Sequence, residues 1–224
     1  MIAIPKNIEF GPLKQIDAGL LNVGYADVGP SGGKPVLLLH GWPYDIHAFV
    51  EVAPLLAAQG YRTIVPYVRG HGTTHFLSDD TFRNGQQGAV ALDVIALMDA
   101  LEISKAIIAG FDWGARTTDI VAAVWPERCK ALVSVSGYLI GSQAAGKNPL
   151  PPRAELQWWY QYYFATERGK LGYQKNTARV QQAHLAACVA EVEFRRCDIR
   201  PYPGVVRQSG SRIDCDQGLR PGRD

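Results

Sequence analysis

The stretch Ala109-Gly110-Phe111-Asp112-Trp113-Gly114-Ala115-Arg116 joins a strand to a helix, and it decides how the rest of the sequence is interpreted. The mostly apolar run 105–109 before it predicts a buried strand, and the pattern from Arg116 to about Glu127 predicts a helix. The link between them has a glycine on each side of one acidic residue, Asp112. The spacing therefore predicts a sharp strand–turn–helix connection, in which small residues let the backbone turn tightly above the start of the helix.

Asp112 allows two interpretations. A carboxylate is ionised at neutral pH without help from a base, so Asp112 can attack a saturated carbon and form a covalent ester. Asp is also among the best helix N-caps, because a helix start favours negative charge. Taken alone, this stretch leaves both interpretations open.

Strands alternate with helices along the first 140 residues. Strands are predicted at 14–17, 21–26, 35–39, 62–67 and 132–136, and helices at about 45–59 and 85–101. The alternation is typical of an α/β fold with a mostly parallel sheet, whose ligands bind beyond the carboxyl ends of the strands. The strand at 132–136 is expected to be buried. We expect His40, Trp42, Asp112 and Trp113 to lie at this carboxyl edge.

Length and composition exclude several classes of protein. The 224 residues suit one domain, and the net charge of +2 does not indicate a nucleic-acid partner or a polybasic membrane patch. The sequence has no signal-peptide pattern and no apolar run of spanning length, so we expect a cytoplasmic protein without a membrane partner. The four cysteines form no C-x-x-C pair, and His71 and His75 lack an evident third ligand. No metal and no cofactor are predicted.

Three motifs follow predicted strands and are best considered together. They are His40-Gly41-Trp42-Pro43, Arg69-Gly70-His71-Gly72 and Gly110-Phe111-Asp112-Trp113-Gly114. Their combination resembles the α/β-hydrolase superfamily and, within it, the epoxide hydrolase and haloalkane dehalogenase branch. The resemblance covers roughly residues 10–176 and implies an α/β-hydrolase fold. It also implies that Asp112 is the nucleophile and that the backbone N–H groups of Trp113 and Trp42 form an oxyanion hole.

The resemblance further implies a helical cap over the site. The aromatic segment 155–164 would belong to it, and a tyrosine there would protonate the opening epoxide oxygen. Tyr160, Tyr162 and Tyr163 are the candidates, and the sequence does not choose among them. The implied substrate-pocket residues are His40, Gly41, Pro43, Trp158 and Trp159. His40 is expected to orient its loop, and the aromatic residues of the segment could instead be core of the cap.

The implied substrate is a small molecule, either an epoxide or a haloalkane. Trp42, directly after His-Gly, favours an epoxide hydrolase, whereas the indole N–H of Trp113 could hold a halide, as in a dehalogenase. The oligomeric state is not predicted.

Three regions are predicted along the chain. Residues 1–140 would form the hydrolase core and 141–176 the start of the cap. Residues 177–224 form an atypical tail with many arginines and no lysine, interpreted as disordered or frameshifted. The relay acid and histidine that the family needs after the cap are not found, and His184 is not assigned as the base. A third hypothesis is therefore an inactive truncated fragment or a non-catalytic binding protein, whose sheet would keep an unpaired edge.

Overall fold

A computed structural model of the chain describes residues 9–137, 144 and 147–188. Within these ranges the strands are β1 Lys14–Ala18, β2 Leu21–Val28, β3 Lys34–Leu39, β4 Tyr61–Pro66, β5 His75–Phe76, β6 Ala106–Phe111 and β7 Cys129–Val135. The α-helices there are α1 Val52–Ala58, α2 Gln87–Ala100, α3 Trp113–Val124, α4 Pro152–Gln157, α5 Trp159–Phe164 and α6 Glu167–Cys188.

The described strands form one sheet in the order β1-β2-β4-β3-β6-β7, with β5 added to β2. Strands β4, β3, β6 and β7 are parallel, while β2 runs antiparallel to its neighbours. This confirms the predicted α/β fold with a mostly parallel sheet. Leu39 pairs with Gly110 at the ends of β3 and β6, so the loops that follow these strands begin side by side.

The apolar run in β3 is explained by burial on both faces of the sheet. Leu37 and Leu39 pack with α2 and α3 in one core cluster. Val36 and Leu38 point to the other face and pack with Ala53 of α1. Residues two apart share a face in a strand, so helices on both sides cover every position of this run.

Two predicted helices are each divided in the structure. The segment predicted as one helix at 45–59 is a 3-10 helix, Ile46–Phe49, followed by α1. Pro54 explains the break, because proline has no N–H to donate and is tolerated in the first turn of a helix. The aromatic segment 155–164 spans α4 and α5, which meet at Trp158.

The prediction that 132–136 is buried was wrong. The strand exists as β7, but Leu132, Val133 and Val135 are 40%, 52% and 54% exposed. Within the described ranges β7 pairs with β6 alone, which makes it the edge of the sheet. An apolar run predicts a strand, but it does not reveal which neighbours cover that strand.

The helices α4, α5 and α6 follow the sheet in the chain. The backbone of α6 is kinked at Asn176 (φ −136°, ψ 32°), next to the predicted boundary at 176/177, and the helix continues to Cys188. The boundary at 140/141 and residues 189–224 of the predicted tail lie outside the described residues. In the part of the chain that is described, no helix has both the length and the apolar character to cross a membrane.

Candidate active site

Asp112 lies between β6 and α3 in a backbone conformation that is uncommon for a residue with a side chain, with φ 55° and ψ −120°. Its N–H donates to the carbonyl of Val135 at 3.0 Å, and its carbonyl accepts from the N–H of Arg116 at 3.1 Å. A Cβ atom at position 114 would lie 2.1 Å from the carbonyl oxygen of Leu39, so glycine is required there. The turn therefore packs directly against the end of β3.

The Asp112 side chain does not cap α3, although the residue stands at the N-cap position. Its Oδ1 atom instead accepts a hydrogen bond from the backbone N–H of Trp42 at 3.1 Å. Trp113 is the first residue of α3, where a backbone N–H has no acceptor within the helix. Of the two predicted oxyanion donors, the Trp42 N–H already donates a hydrogen bond to the Asp112 carboxylate. The other, the Trp113 N–H, belongs to the residue that directly follows Asp112.

Gly41 lies in direct contact with the Asp112 side chain. A Cβ at position 41 would be 2.5 Å from both Cβ and Oδ1 of Asp112, closer than real Cβ contacts come. Glycine at this position lets the loop after β3 approach the carboxylate closely enough to donate its next N–H. Pro43 follows Trp42 through a cis peptide bond and is half-buried.

His40 is fully buried beneath this loop. Its Nε2 accepts from the N–H of Val68 at 3.2 Å, and its Nδ1 donates to the carbonyl of Gly41 at 3.1 Å. Burial is the main cause that lowers the pKa of His40 to about 4, so the ring is neutral at pH 7. His40 therefore connects the loop after β3 to the loop after β4 and does not face open space.

Arg69 joins the loop after β4 to α2. Its guanidinium makes two hydrogen bonds of 2.6 Å to the carboxylate of Asp93, and it also donates to the carbonyls of Asn84 and Ala89. The two charged side chains are 8% and 12% exposed. Arg69 is therefore occupied in holding its loop.

His71, in the loop after β4, and His75, at the start of β5, each bond to nearby backbone. His71 Nδ1 lies 3.2 Å from the carbonyl of Arg69, and His75 Nδ1 lies 3.1 Å from that of Thr73. Over the residues that the structure describes, no three His, Cys, Asp or Glu side chains come together in a way that could hold a metal ion.

Aromatic side chains from the helices after the sheet pack on Trp42. The ring of Tyr160 stacks on the indole with centroids 4.9 Å apart and an interplanar angle of 29°, and Phe164 meets it edge-on at 5.5 Å. The His184 ring lies 4.7 Å from Trp42 and 4.4 Å from Tyr160. We call Trp42, Tyr160, Phe164 and His184 the Trp42 cluster.

The structure separates the three tyrosines that the sequence left equivalent. Tyr160 contacts Trp42, whose N–H binds Asp112. Tyr162 is 62% exposed and donates its hydroxyl to Glu155 at 2.5 Å. Tyr163 places its hydroxyl against Gly172 of α6. The pocket candidates Trp158 and Trp159 pack near this group, with ring centroids 6.3 Å from Tyr160 and 5.7 Å from Tyr163, respectively.

His184 is the residue that sequence reasoning left without a role. It is 7% exposed, and burial lowers its pKa while the charge of Asp112 raises it. Gln181, one turn earlier, donates to the hydroxyl of Tyr173 at 3.1 Å and so ties the second half of α6 to the first. No local pattern could have revealed this position, because the contacts join residues far apart in the chain.

Comparisons with known proteins agree with this geometry. The α/β hydrolase fold family matches residues 34–185, more than half of the chain, so this chain belongs to that family. It is similar to a crystal structure of a candidate epoxide hydrolase from Klebsiella pneumoniae, with 58% sequence identity and a TM-score of 0.79, over 86% of this chain and 64% of that one. The resemblance inferred from the three motifs is confirmed.

Curated relatives match at lower identity. Epoxide hydrolase B of Mycobacterium tuberculosis is 30% identical over 158 residues, which are 64% of this chain and 44% of that protein. A haloalkane dehalogenase of Mycobacterium marinum is 28% identical over 152 residues, 66% of this chain and 49% of that protein. The chain thus spans less than half the length of these two relatives.

Proposed function

We propose that this chain is a hydrolase of the epoxide hydrolase type, acting on a small organic substrate through a covalent ester at Asp112. The carrying observation is the Asp112 carboxylate, which sits at a sharp turn and accepts the Trp42 N–H instead of capping its helix. A carboxylate that served only the helix would bond to the N–H groups of α3. The similarity to epoxide hydrolases supports the same choice of reaction.

In the first step, the oxygen of Asp112 that does not bind Trp42 attacks an epoxide carbon. The carbon–oxygen bond of the ring breaks, and the ring oxygen takes a proton from a nearby acid. Tyr160 is our candidate for this acid, because it stacks on Trp42 while Tyr162 bonds to Glu155 and Tyr163 lies against α6. Proton transfer of this kind contributes roughly 100-fold or more to a rate.

In the second step, water attacks the ester carbon and negative charge develops on Oδ1 of Asp112. The Trp42 N–H already donates to that atom, and the Trp113 N–H is our candidate for a second donor. A positioned donor of this kind lowers a barrier by about 3 kcal/mol. The Trp42 N–H would therefore hold the carboxylate before reaction, and both N–H groups would stabilise the oxyanion during it.

The aromatic residues around Trp42 support an apolar substrate. We assign residues 141–176 to the cap and 1–140 to the core, with Trp158, Trp159 and Tyr160 lining the cap side of the pocket and Gly41 and Pro43 the core side. Apolar and aromatic walls with a few polar groups are the usual lining of a small-molecule pocket. No cofactor is needed for this chemistry.

A haloalkane dehalogenase is the second candidate, favoured by the similarity to the Mycobacterium marinum protein. Asp112 would then displace a halide, which leaves as an anion and needs no proton. Replacing the cap acid should therefore slow epoxide opening and leave halide displacement unchanged.

The test is incubation of the purified chain with styrene oxide or 1-bromobutane, followed by intact-mass analysis and by measurement of diol or bromide. We expect a stoichiometric ester with the epoxide that is absent in Asp112→Asn. Tyr160→Phe should slow ester formation roughly 100-fold, whereas the matched Tyr162→Phe should match the parent chain. A folded chain that forms no adduct and releases no diol or bromide with either reagent would contradict the proposal and support a non-catalytic binding protein.

A further inference from the structure

Three residues with side chains have a positive φ in the part of the chain that the structure describes. They are Glu102 (φ 57°), Asp112 (φ 55°) and Ser136 (φ 55°). A Cβ atom makes this region sterically unfavourable, so the surroundings must hold each of these residues there. Ser136 follows β7 and is bonded to Val135, whose carbonyl accepts the Asp112 N–H. Two of the three unfavourable conformations therefore lie on either side of one hydrogen bond.

The peptide group between Val135 and Ser136 links these two turns. Its carbonyl oxygen accepts the Asp112 N–H at 3.0 Å, which extends the parallel pairing of β6 with β7 beyond the strand ends. The peptide group is planar, so its orientation is set by ψ of Val135 and φ of Ser136. A change of φ at Ser136 therefore either rotates the carbonyl away from Asp112 or displaces the chain that follows.

The chain that follows is packed closely against α3. A Cβ atom at position 137 would lie 2.4 Å from Oγ of Ser134 and 2.8 Å from both Cβ of Ala115 and Oδ2 of Asp119. Gly137 thus fits between the end of β7 and the first turns of α3 because it has no side chain. This close packing restricts movement of the chain toward α3 and keeps φ of Ser136 positive.

We propose that Ser136 is a positioning residue for the nucleophile, acting through the Val135 carbonyl. The positive φ of Ser136 directs this carbonyl at the Asp112 N–H. The hydrogen bond in turn keeps Asp112 in its own positive φ, with the carboxylate on the Trp42 N–H. This inference rests on the proposed function, because it concerns Asp112 as a nucleophile. The Ser136 side chain is exposed, so the backbone conformation carries the effect and the hydroxyl does not.

Glu102 provides a comparison within the same chain. It has nearly the same φ, it is also exposed, and it precedes β6, whereas Asp112 follows that strand. Its N–H donates to the carbonyl of Asp99 at 3.0 Å, within the turn that ends α2. A substitution that disfavours positive φ should therefore destabilise the fold at both positions, but it should change the site at Ser136 alone.

The experiment compares Ser136→Thr with Glu102→Thr. Threonine is β-branched and strongly disfavours positive φ, yet it keeps the hydroxyl of serine. Circular dichroism checks that each variant is folded, and ester formation is measured over a range of styrene oxide concentrations. We expect Ser136→Thr to lower the maximal rate of ester formation roughly tenfold, with the half-saturating epoxide concentration unchanged. Glu102→Thr should match the parent in both quantities.

Ser136→Gly separates the backbone from the side chain. Glycine lacks the hydroxyl but adopts positive φ freely, so this variant should form the ester at the parent rate. If Ser136→Gly were as slow as Ser136→Thr, the loss would not follow φ, and the positioning role would be overturned.

Hydrogen exchange of the Asp112 N–H, followed by NMR, tests the same contact without catalysis. This N–H should be protected in the parent chain and should exchange roughly tenfold faster in Ser136→Thr, while Glu102→Thr leaves it unchanged. An unprotected Asp112 N–H in the parent would overturn the proposal without any variant.

The two measurements distinguish failure of the positioning role from failure of the proposed function. If the parent forms ester, and both ester formation and exchange in Ser136→Thr stay within about twofold of the parent, the positioning role is overturned and the function stands. If the parent forms no ester and releases no diol, the proposed function fails. Faster exchange in Ser136→Thr would then still support Ser136 as the residue that holds the turn at Asp112.

Discussion

At the scale of single residues, the site depends on how closely one backbone segment can approach the Asp112 carboxylate, as much as on the functional groups of the side chains. Asp112 adopts a positive φ, which costs on the order of 1–3 kcal/mol and persists because hydrogen bonds at both of its backbone groups hold it. Gly41 lets the next N–H reach the carboxylate. The absence of a side chain is therefore a requirement at position 41.

A Gly41→Ala change tests this requirement. The new Cβ would stand 2.5 Å from Asp112 Oδ1, so the carboxylate must move away from the Trp42 N–H. We expect ester formation with styrene oxide to fall roughly 100-fold, the penalty for a reacting group misplaced by about 1 Å. Gly32→Ala, in a loop with open space around it, should change neither ester formation nor the unfolding midpoint. Unchanged ester formation in Gly41→Ala would contradict the argument.

At the scale of elements, side-chain interactions hold the loops at the carboxyl edge of the sheet in place. The Arg69–Asp93 pair fastens the loop after β4 to α2, and it is nearly buried. His40 in turn receives the N–H of Val68 from the same loop. Displacement of this loop would therefore be transmitted to the loop that carries Trp42.

Replacing Arg69 by alanine leaves Asp93 buried without its cation. We expect the free energy of unfolding at pH 7 to fall by about 3–5 kcal/mol, measured by urea denaturation. Burial already raises the pKa of Asp93, and losing the Arg69 hydrogen bonds raises it further. The folded variant then binds a proton more tightly than the unfolded chain, so the penalty should shrink as the pH falls through this raised pKa.

Arg83→Ala provides the comparison for this element. Arg83 and Asp79 form a solvent-exposed pair at 3.5 Å. Such pairs contribute about 0–1 kcal/mol to stability, so Arg83→Ala should lower the free energy of unfolding by no more than this amount. Equal losses in the two variants would contradict the claim that burial makes the Arg69 pair important.

At the scale of the whole described molecule, one edge of the sheet is apolar and exposed. Strand β7 pairs with β6 there and leaves Leu132, Val133 and Val135 largely accessible. Exposed apolar edge strands promote pairing with other chains, and natural sheets oppose this with lysine or proline at the edge. The purified chain is therefore expected to self-associate through β7.

Val133→Lys should reduce light scattering at a given protein concentration severalfold, because a charged edge resists strand addition. Leu92→Lys adds the same charge on α2, at a leucine that is 57% exposed. If both variants lowered light scattering equally, the added net charge would explain the effect, and self-association through the edge strand β7 would be contradicted.

The sequence by itself predicted a mostly parallel sheet and the position of the sharp turn at Asp112. The buried run in β3, the turn at Asp112 and the alternation of strands and helices were predicted because periodicity and glycine spacing are local properties. The placement of the loop after β3 and the turn at Asp112 at the same edge of the sheet also followed, since the carboxyl ends of parallel strands lie at one edge. The pairing of β3 with β6, which brings the two loops into contact, is known only from the structure. Roles for Asp112, Trp42 and Trp113 came from the resemblance and stay predictions.

Only the tertiary structure decided the rest. It separated Tyr160 from Tyr162 and Tyr163, brought His184 to the Trp42 cluster and exposed β7. Each of these facts depends on packing between segments that are distant in the chain. The type of a side chain does not predict which distant segment it will pack against. Three neighbouring tyrosines look alike in a sequence, but in the structure Tyr160 stacks on Trp42, Tyr162 bonds to Glu155 and Tyr163 lies against Gly172.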